Sequence, residues 1–266
     1  MRWFFSLSAT TSTFDAYARM VQVAVASAAA HSTLDPHFIF DGSPCWLTQW
    51  LEKRGVRVIY GRSRFYPALE SLARKLGKPE ILTIGAGTFL RFEIPTLMRL
   101  FGWEDELVAY TDCDILFCGD PAPAMRAARP DIFAVAVEAD PAVWTHYSAG
   151  VMALNVKGFG AVIAAIEEAA GRHLEAAVQG GYDQQLLYHV FPTAPSRLPR
   201  ELNWKAYWGP PAPETAIVHF HGPKPLHRPY VSDAGFPALL RPLANEAYLA
   251  WCAVWDGVAA ELGPPG

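Results

Sequence analysis

Glu106-Leu-Val-Ala-Tyr-Thr-Asp-Cys-Asp-Ile-Leu-Phe117 is the stretch on which the fold turns. Leu107 to Tyr110 is a short apolar run of the kind found in a strand buried on both faces. Asp112 and Asp114 follow on a turn, and Ile115 to Phe117 is a second apolar triplet. Two carboxylates at the end of a buried strand are costly in a dry interior. A cation changes that balance, because oxygen ligands at i and i+2 can grip one hard divalent ion. Cys113 lies between them and, by strand alternation, points into the core. Taken alone, an Asp-x-Asp is equally a turn with ordinary acidic caps.

The rest of the composition narrows the partners. At 266 residues, with 52% hydrophobic and 18% charged, the chain has material for one substantial core. A net charge of -4 and a pI near 6.1 argue against nucleic acid or an anionic membrane as the main partner. An anionic ligand would therefore need local cations or a metal. The four cysteines (45, 113, 118 and 252) have neither zinc spacing nor a dense framework, which suits reduced thiols and a cytoplasmic location. Arg2 precedes an apolar Trp3-Phe4-Phe5, but Asp15 and Arg19 interrupt what a signal peptide would need. No run reaches the roughly 18 to 20 apolar residues expected of a spanning helix, leaving peripheral contact as the only membrane association in view.

Outward from the central stretch, strands and helices alternate. Strands are expected at Trp3 to Leu7, His37 to Phe40, Val56 to Tyr60, Ile132 to Val137, Ser148 to Asn155 and Ile217 to Phe220. Helices are expected at Phe14 to Ala30, Trp46 to Arg54, Tyr66 to Leu76, Thr88 to Leu100, Phe159 to His173, Asp183 to Phe191 and Leu243 to about Val258. Asp183 is placed to cap its helix. Gly85-Ala-Gly87 reads as a flexible hinge, residues 192–216 as a Pro- and Trp-rich loop, and Gly263 to Gly266 as a terminal Gly-Pro-Pro-Gly. Strand–helix alternation implies parallel pairing with helices on both faces.

Five blocks then stand in order. They are Arg91 before a helix, Tyr110-Thr-Asp-Cys-Asp114, Tyr147-Ser-Ala-Gly-Val-Met-Ala-Leu-Asn155, Tyr182-Asp-Gln-Gln185 and His219-Phe-His-Gly-Pro-Lys-Pro225. Together these resemble family 8 glycosyltransferases, the retaining, sugar-nucleotide-dependent enzymes that include glycogenin and bacterial galactosyltransferases. The resemblance spans about residues 80–226. It implies an α/β, GT-A type single domain, with a Rossmann-like mixed sheet and helices on both faces. Its nucleotide-binding half would cover about 1–118, its acceptor and metal-completing half about 119–230, and a C-terminal helix 243–258.

By that resemblance, Asp112, Asp114 and His219 would ligate Mn²⁺, with Mg²⁺ as the substitute. Gly222 would admit the donor diphosphate and Lys224 would neutralise it. Ser8, Ala9, Thr10, Thr111, Ser148, Ala149 and Gly150 would line the donor site, with Arg91, Asp183 and Gln184 around the sugar as the catalytic residues. The partners implied are a nucleotide-sugar donor, with UDP the expected carrier, and a carbohydrate or glycoconjugate acceptor. Ser148 stands where relatives commonly carry Asn, Gln185 where they carry Asp, and the first turn lacks an acidic residue. Two rivals follow. One is a sugar-nucleotide-binding protein with impaired catalysis. The other is a haloacid-dehalogenase-like phosphatase, whose Asp-x-Asp belongs near the chain start. Trp204, Tyr207 and Trp208 are equally an acceptor platform or loop packing, and His221 and His227 have no fixed role.

Overall fold

Strand β1 (Arg2–Ser8) is buried along all but its first residue, and its alternation divides the core. Phe4 joins a cluster with Ile39, Tyr110, Phe133 and Met152 on one face of the sheet. Trp3 and Phe5 join Phe38, Val21 and Ala24 on the other. Successive side chains of a strand point to opposite faces, so a strand with apolar residues on both faces requires cover on both. The computed structural model describes residues 1–140 and 142–263. The last three residues of the terminal Gly-Pro-Pro-Gly lie outside them.

The cover comes from helices in chain order. After β1 come α1 (Phe14–His31), β2 (Asp35–Asp41), α2 (Trp46–Glu52), β3 (Arg57–Tyr60), α3 (Tyr66–Leu76), α4 (Glu80–Thr88), a 3₁₀ turn over Phe89–Glu93 and α5 (Ile94–Leu100). Then follow β4 (Leu107–Thr111), β5 (Ile115–Phe117), α6 (Ala122–Ala128), β6 (Phe133–Val137), β7 (Tyr147–Asn155), α7 (Val156–Gly180) and α8 (Asp183–Val190). The chain ends with β8 (Ser196–Arg197), β9 (Trp204–Lys205), β10 (Ile217–His219) and α9 (Glu246–Glu261). Among the described residues the main sheet has seven strands in the order β3-β2-β1-β4-β7-β6-β8. Its first half is parallel, and β4–β7 and β7–β6 are antiparallel. A small second sheet, β5-β10-β9, begins where β4 ends. Helix α9 packs Tyr248, Trp251 and Trp255 against Leu116 and Val218 of that small sheet.

Several local expectations are corrected. Gly85 and Gly87 are helical, within α4, and form no hinge. A Cβ on Gly85 would stand 3.1 Å from Leu69, and one on Gly87 would stand 3.3 Å from the Ser8 nitrogen. Their smallness lets α4 lie close against α3 and β1. Thr88 to Leu100 divides at Glu93, with Pro95 in the first turn of α5 where its missing N–H does no harm. Glu80–Leu100 as a whole is long and apolar enough to span a membrane by composition, yet 56% of its 18-residue window is buried. It carries Arg91 and Glu93 into ion pairs inside the protein. Helix α7 is longer than expected, starting at Val156 because Asn155 Oδ1 accepts the Gly158 N–H at 2.8 Å. Asp183 does not cap α8. Tyr182 holds the cap position with φ 58°, and the Asp183 side chain turns into the core. Residues 192–216 are a loop threaded by β8, a 3₁₀ turn over Arg200–Leu202 and β9.

Candidate active site

Asp112 and Asp114 sit in the gap between the two sheets. The Asp112 N–H donates to Gly150 O of β7 at 2.8 Å, and Asp114 O accepts from Phe220 N at 2.8 Å. The main sheet thus anchors one carboxylate and the small sheet the other. His219, at the end of β10, completes the group, with Nε2 3.3 Å from Asp114 Oδ1 and 3.9 Å from Asp112 Oδ2. One ligand atom from each of the three residues lies within 4.8 Å of the others. Cys113 takes no part, since its thiol donates to Ser6 O at 3.0 Å and burial pushes its pKa well up. The space before His219 depends on Gly150. A Cβ there would meet His219 Cε1 at 2.2 Å and Asp112 Oδ2 at 2.9 Å. Two carboxylates, one imidazole and a wall without a side chain fit a hard divalent cation.

The protonation states suit that role. Burial works against the Asp114 carboxylate, but Lys224 and then His219 outweigh it and hold its pKa well below the usual range. Burial dominates at His219 and lowers its pKa despite Asp114, so the imidazole is neutral near pH 7. Lys224 Nζ pairs with Asp114 Oδ2 and donates to Phe220 O at 2.8 Å. Burial weakens its charge, yet Asp114 raises its pKa overall. Gly222 precedes it with φ 111°, a region that favours glycine.

Arg91 lies behind Asp112, 2% exposed. It donates from Nη2 to Asp112 Oδ1 at 2.7 Å, from Nη1 to Ala149 O at 2.5 Å and from Nε to Thr88 O at 3.2 Å. Its Nε is also 2.8 Å from Asp183 Oδ2, and its guanidinium stacks 4.3 Å over the Tyr110 ring. Burial opposes this charge, but Asp183, Tyr110 and Asp112 overcome it and raise the Arg91 pKa. Burial raises the Asp183 carboxyl to about 6, with Arg91 opposing and Asp112 adding to the rise. Gln184 Oε1 accepts the Ala149 N–H at 2.8 Å and its Nε2 donates to Tyr188 Oη at 3.0 Å.

The remaining candidates are dispersed around this group. Ser8 Oγ accepts the Thr10 N–H at 3.2 Å and Ala9 N donates to Asp41 O at 2.9 Å, which holds the first turn rigid. A cavity of about 350 Å³ is lined by Asp112 and Asp114, from that loop by Thr11, Ser12 and Thr13, and from α4 by Glu80 and Thr83. The Thr111 hydroxyl accepts from Trp3 Nε1 at 2.8 Å, on the core side. Trp204 and Trp208 meet edge to face at 5.6 Å, and both Trp204 Nε1 and Trp251 Nε1 donate to Gly209 O. His221 pairs with Glu138 at 3.0 Å, and His227 Nδ1 accepts the Lys224 N–H at 3.1 Å.

Sequence reasoning missed Asn203, Lys205 and Glu138. Lys205 is fully buried, donates to Ser148 Oγ at 2.7 Å and lies 3.7 Å from Glu138 Oε2. Burial lowers its pKa, with Glu138 pulling the other way. Burial would raise the Glu138 carboxyl, but Lys205 and His221 hold it far below the usual range. Local sequence carries no signal for this group. A polar Asn-Trp-Lys in a Pro-rich loop reads as surface, and only the pairing of β9 with β10 takes it inside.

A mixed sheet with this order, an acidic pair at the end of its central strand and a second sheet closing the site define the GT-A glycosyltransferase fold. The chain superposes on the glycosyltransferase GlyE of Streptococcus pneumoniae TIGR4, apo form, with TM-score 0.63 and 19% identity, over 98% of this chain and 62% of that one. It therefore spans less than two thirds of GlyE. It also superposes on a galactosyltransferase, LgtC, solved with donor and acceptor sugar analogues, with TM-score 0.66 and 17% identity over 99% of this chain and 97% of LgtC. Mouse xyloside xylosyltransferase 1 matches at TM-score 0.53 and 13% identity, over 89% and 98% of the two chains. No protein-family model matches the chain, and no curated protein matches it in sequence.

Proposed function

We propose that the chain is a metal-dependent, retaining glycosyltransferase that moves a hexose from a nucleoside diphosphate sugar, UDP its expected carrier, to a carbohydrate or glycoconjugate acceptor. The observation that carries this reading is the Asp112–Asp114–His219 cluster, whose two aspartates line a cavity of about 350 Å³ in a GT-A fold. Asp112, Asp114 and His219 would hold Mn²⁺, which suits mixed carboxylate and imidazole ligands better than Mg²⁺ does. Bound there, the ion would supply Lewis-acid stabilisation to a departing diphosphate.

The chain's own residues supply the rest. Lys224, already held at Asp114, carries the ammonium that can neutralise phosphate charge. Arg91 orients Asp112 and fixes Ala149 O, while Gln184 fixes the Ala149 N–H, so the backbone of Ala149 is held through both of its polar groups. Asp183 is buried against Arg91 and is poorly placed as a nucleophile. A covalent double displacement would need a free carboxylate opposite the leaving group. The reading therefore favours front-face attack, in which the departing phosphate accepts the acceptor's proton.

Calorimetry of UDP binding with Mn²⁺ and with EDTA tests it. Affinity should be lost in EDTA and in Asp114→Asn; equal affinity in all three conditions would overturn the metal assignment. Turnover of nucleotide sugars separates an active transferase from a binding protein that has lost catalysis.

A further inference from the structure

His219 offers a metal ligand only if its single proton is in the right place. With hydrogen on Nδ1, Nε2 keeps its lone pair. With hydrogen on Nε2, that N–H points at Asp114 Oδ1, 3.3 Å away, and no ligand atom faces the site. What decides lies behind the ring. Asn203 Oδ1 is 2.9 Å from Nδ1 and Lys205 Nζ is 3.4 Å from it, and both residues are wholly buried.

An ammonium has three donors and no acceptor. Lys205 directs its donors at Ser148 Oγ, 2.7 Å away, at Asn203 Oδ1, 3.3 Å away, and at the Glu138 carboxylate, 3.7 Å away. Nδ1 therefore donates to the nearer Asn203 Oδ1 at 2.9 Å and does not accept from the ammonium 3.4 Å off. Turning the Asn203 amide over would set its NH₂ against that ammonium, donor against donor, at a position where an unmet donor is costly. As it stands the amide leaves its own Nδ2 without a partner among the described residues and gives its oxygen to the ring. The backbone fixes the arrangement. Strands β9 and β10 pair with Lys205 opposite His219, and Ala206 N donates to His219 O at 3.2 Å.

We infer that Asn203 and Lys205 are positioning residues: Lys205 orients the Asn203 amide, and Asn203 holds His219 in its Nδ1–H tautomer, leaving Nε2 open toward Asp112 and Asp114. The inference rests on the metal reading above. Outer-shell partners of a ligating histidine commonly act in this way, fixing both tautomer and ring orientation. Neither residue needs to touch donor or acceptor.

Long-range ¹⁵N–¹H correlation spectra of metal-free, ¹⁵N-histidine-labelled protein report the tautomer, with His219→Gln assigning the signal. Wild type and Asn203→Asp should show Nδ1–H, and Asn203→Leu should shift to Nε2–H. Mn²⁺ affinity by spin-resonance titration should fall about 10- to 100-fold in Asn203→Leu and change little in Asn203→Asp. Lys205→Met should move the tautomer the same way, which keeps the test open if Asn203→Leu does not fold. Nε2–H in the wild type, or an unchanged tautomer and affinity in the leucine and methionine variants, would overturn the inference. Nδ1–H in a wild type whose bound Mn²⁺ shows no histidine nitrogen modulation would overturn the metal reading while supporting the tautomer assignment.

Discussion

Replacing Gly150 with alanine should damage metal binding through one methyl group. Gly150 lies where the register between β7 and β6 shifts, but its φ is not positive, so alanine meets no left-handed strain and the conflict is steric. The new Cβ would lie 2.2 Å from His219 Cε1, and the ring must retreat by about 1.2 Å to restore an ordinary 3.4 Å contact. His219 cannot move as a whole, because its backbone is paired with Ile115 on one side and Lys205 on the other. Only rotation of the ring remains, and that breaks the bond from Nδ1 to Asn203. Overpacking a dense site costs about 1–3 kcal/mol, and losing the buried hydrogen bond adds about 1 kcal/mol. A stability loss of about 2–4 kcal/mol by urea denaturation is expected. Mn²⁺ affinity by calorimetry should fall at least about tenfold, since ligand distances tolerate only about 0.2 Å. Gly171→Ala is the control. It lies within α7 with nothing near its would-be Cβ, and should stabilise by about 0.5–1 kcal/mol. A Gly150→Ala protein with unchanged stability and unchanged Mn²⁺ affinity would refute the placement of His219.

Lys224→Ala should weaken binding of a nucleoside diphosphate by about 1.5–3 kcal/mol and leave binding of the bare nucleoside nearly untouched. Equal losses by calorimetry would mean that the lysine supports its loop and does not meet phosphate. His219 titrates below its ordinary 6.5 because it is buried, so the folded protein binds fewer protons there than the unfolded chain. Its contribution is complete above pH 6.5 and is lost as pH falls from 6.5 toward the lower folded value. Urea midpoints of wild type should drop more than those of His219→Gln between pH 7.5 and 5.5; parallel curves would remove this assignment. Transfer should retain the anomeric configuration by NMR of fresh product, and intact mass of enzyme held with donor alone should show no hexose adduct. An inverted product would sink the retaining reading, and an adduct on Asp183 would sink front-face attack.

Much of the scaffold was legible because apolar runs bounded by turn residues dictate buried strands. Strands β1, β2, β4 and β7 and helices α1 and α3 are found within a residue or two of where their patterns place them. The Asp112–Asp114 pair stood out for the same reason, as charge ending such a run. What failed was local punctuation with a tertiary purpose. Glycine reads as a breaker, yet Gly85 and Gly87 serve close packing inside α4. An aspartate at a helix start reads as a cap, but Asp183 is drawn inward to Arg91. Asn203 and Lys205 were invisible because their burial follows from pairing β9 with β10, more than ten residues apart in the chain, and no local pattern encodes that.

The division of the site between two sheets gives the far end of the chain authority over it. Tyr248 Oη donates to Lys224 O at 2.6 Å, Trp251 Nε1 to Gly209 O at 2.8 Å, and Arg228 grips Asp256 through both nitrogens at 2.7 and 2.6 Å. Helix α9 is therefore the buttress of the small sheet, although it supplies no side chain to the acidic pair. A chain cut before Asn245 would retain every residue named for chemistry, together with the seven-stranded sheet that carries Asp112. It would strip the apolar backing from Leu116 and Val218, the neighbours that steady Asp114 and His219. Loss of the last helix should thus resemble loss of a ligand: one half of the cation's cage stays rigid while the other comes loose.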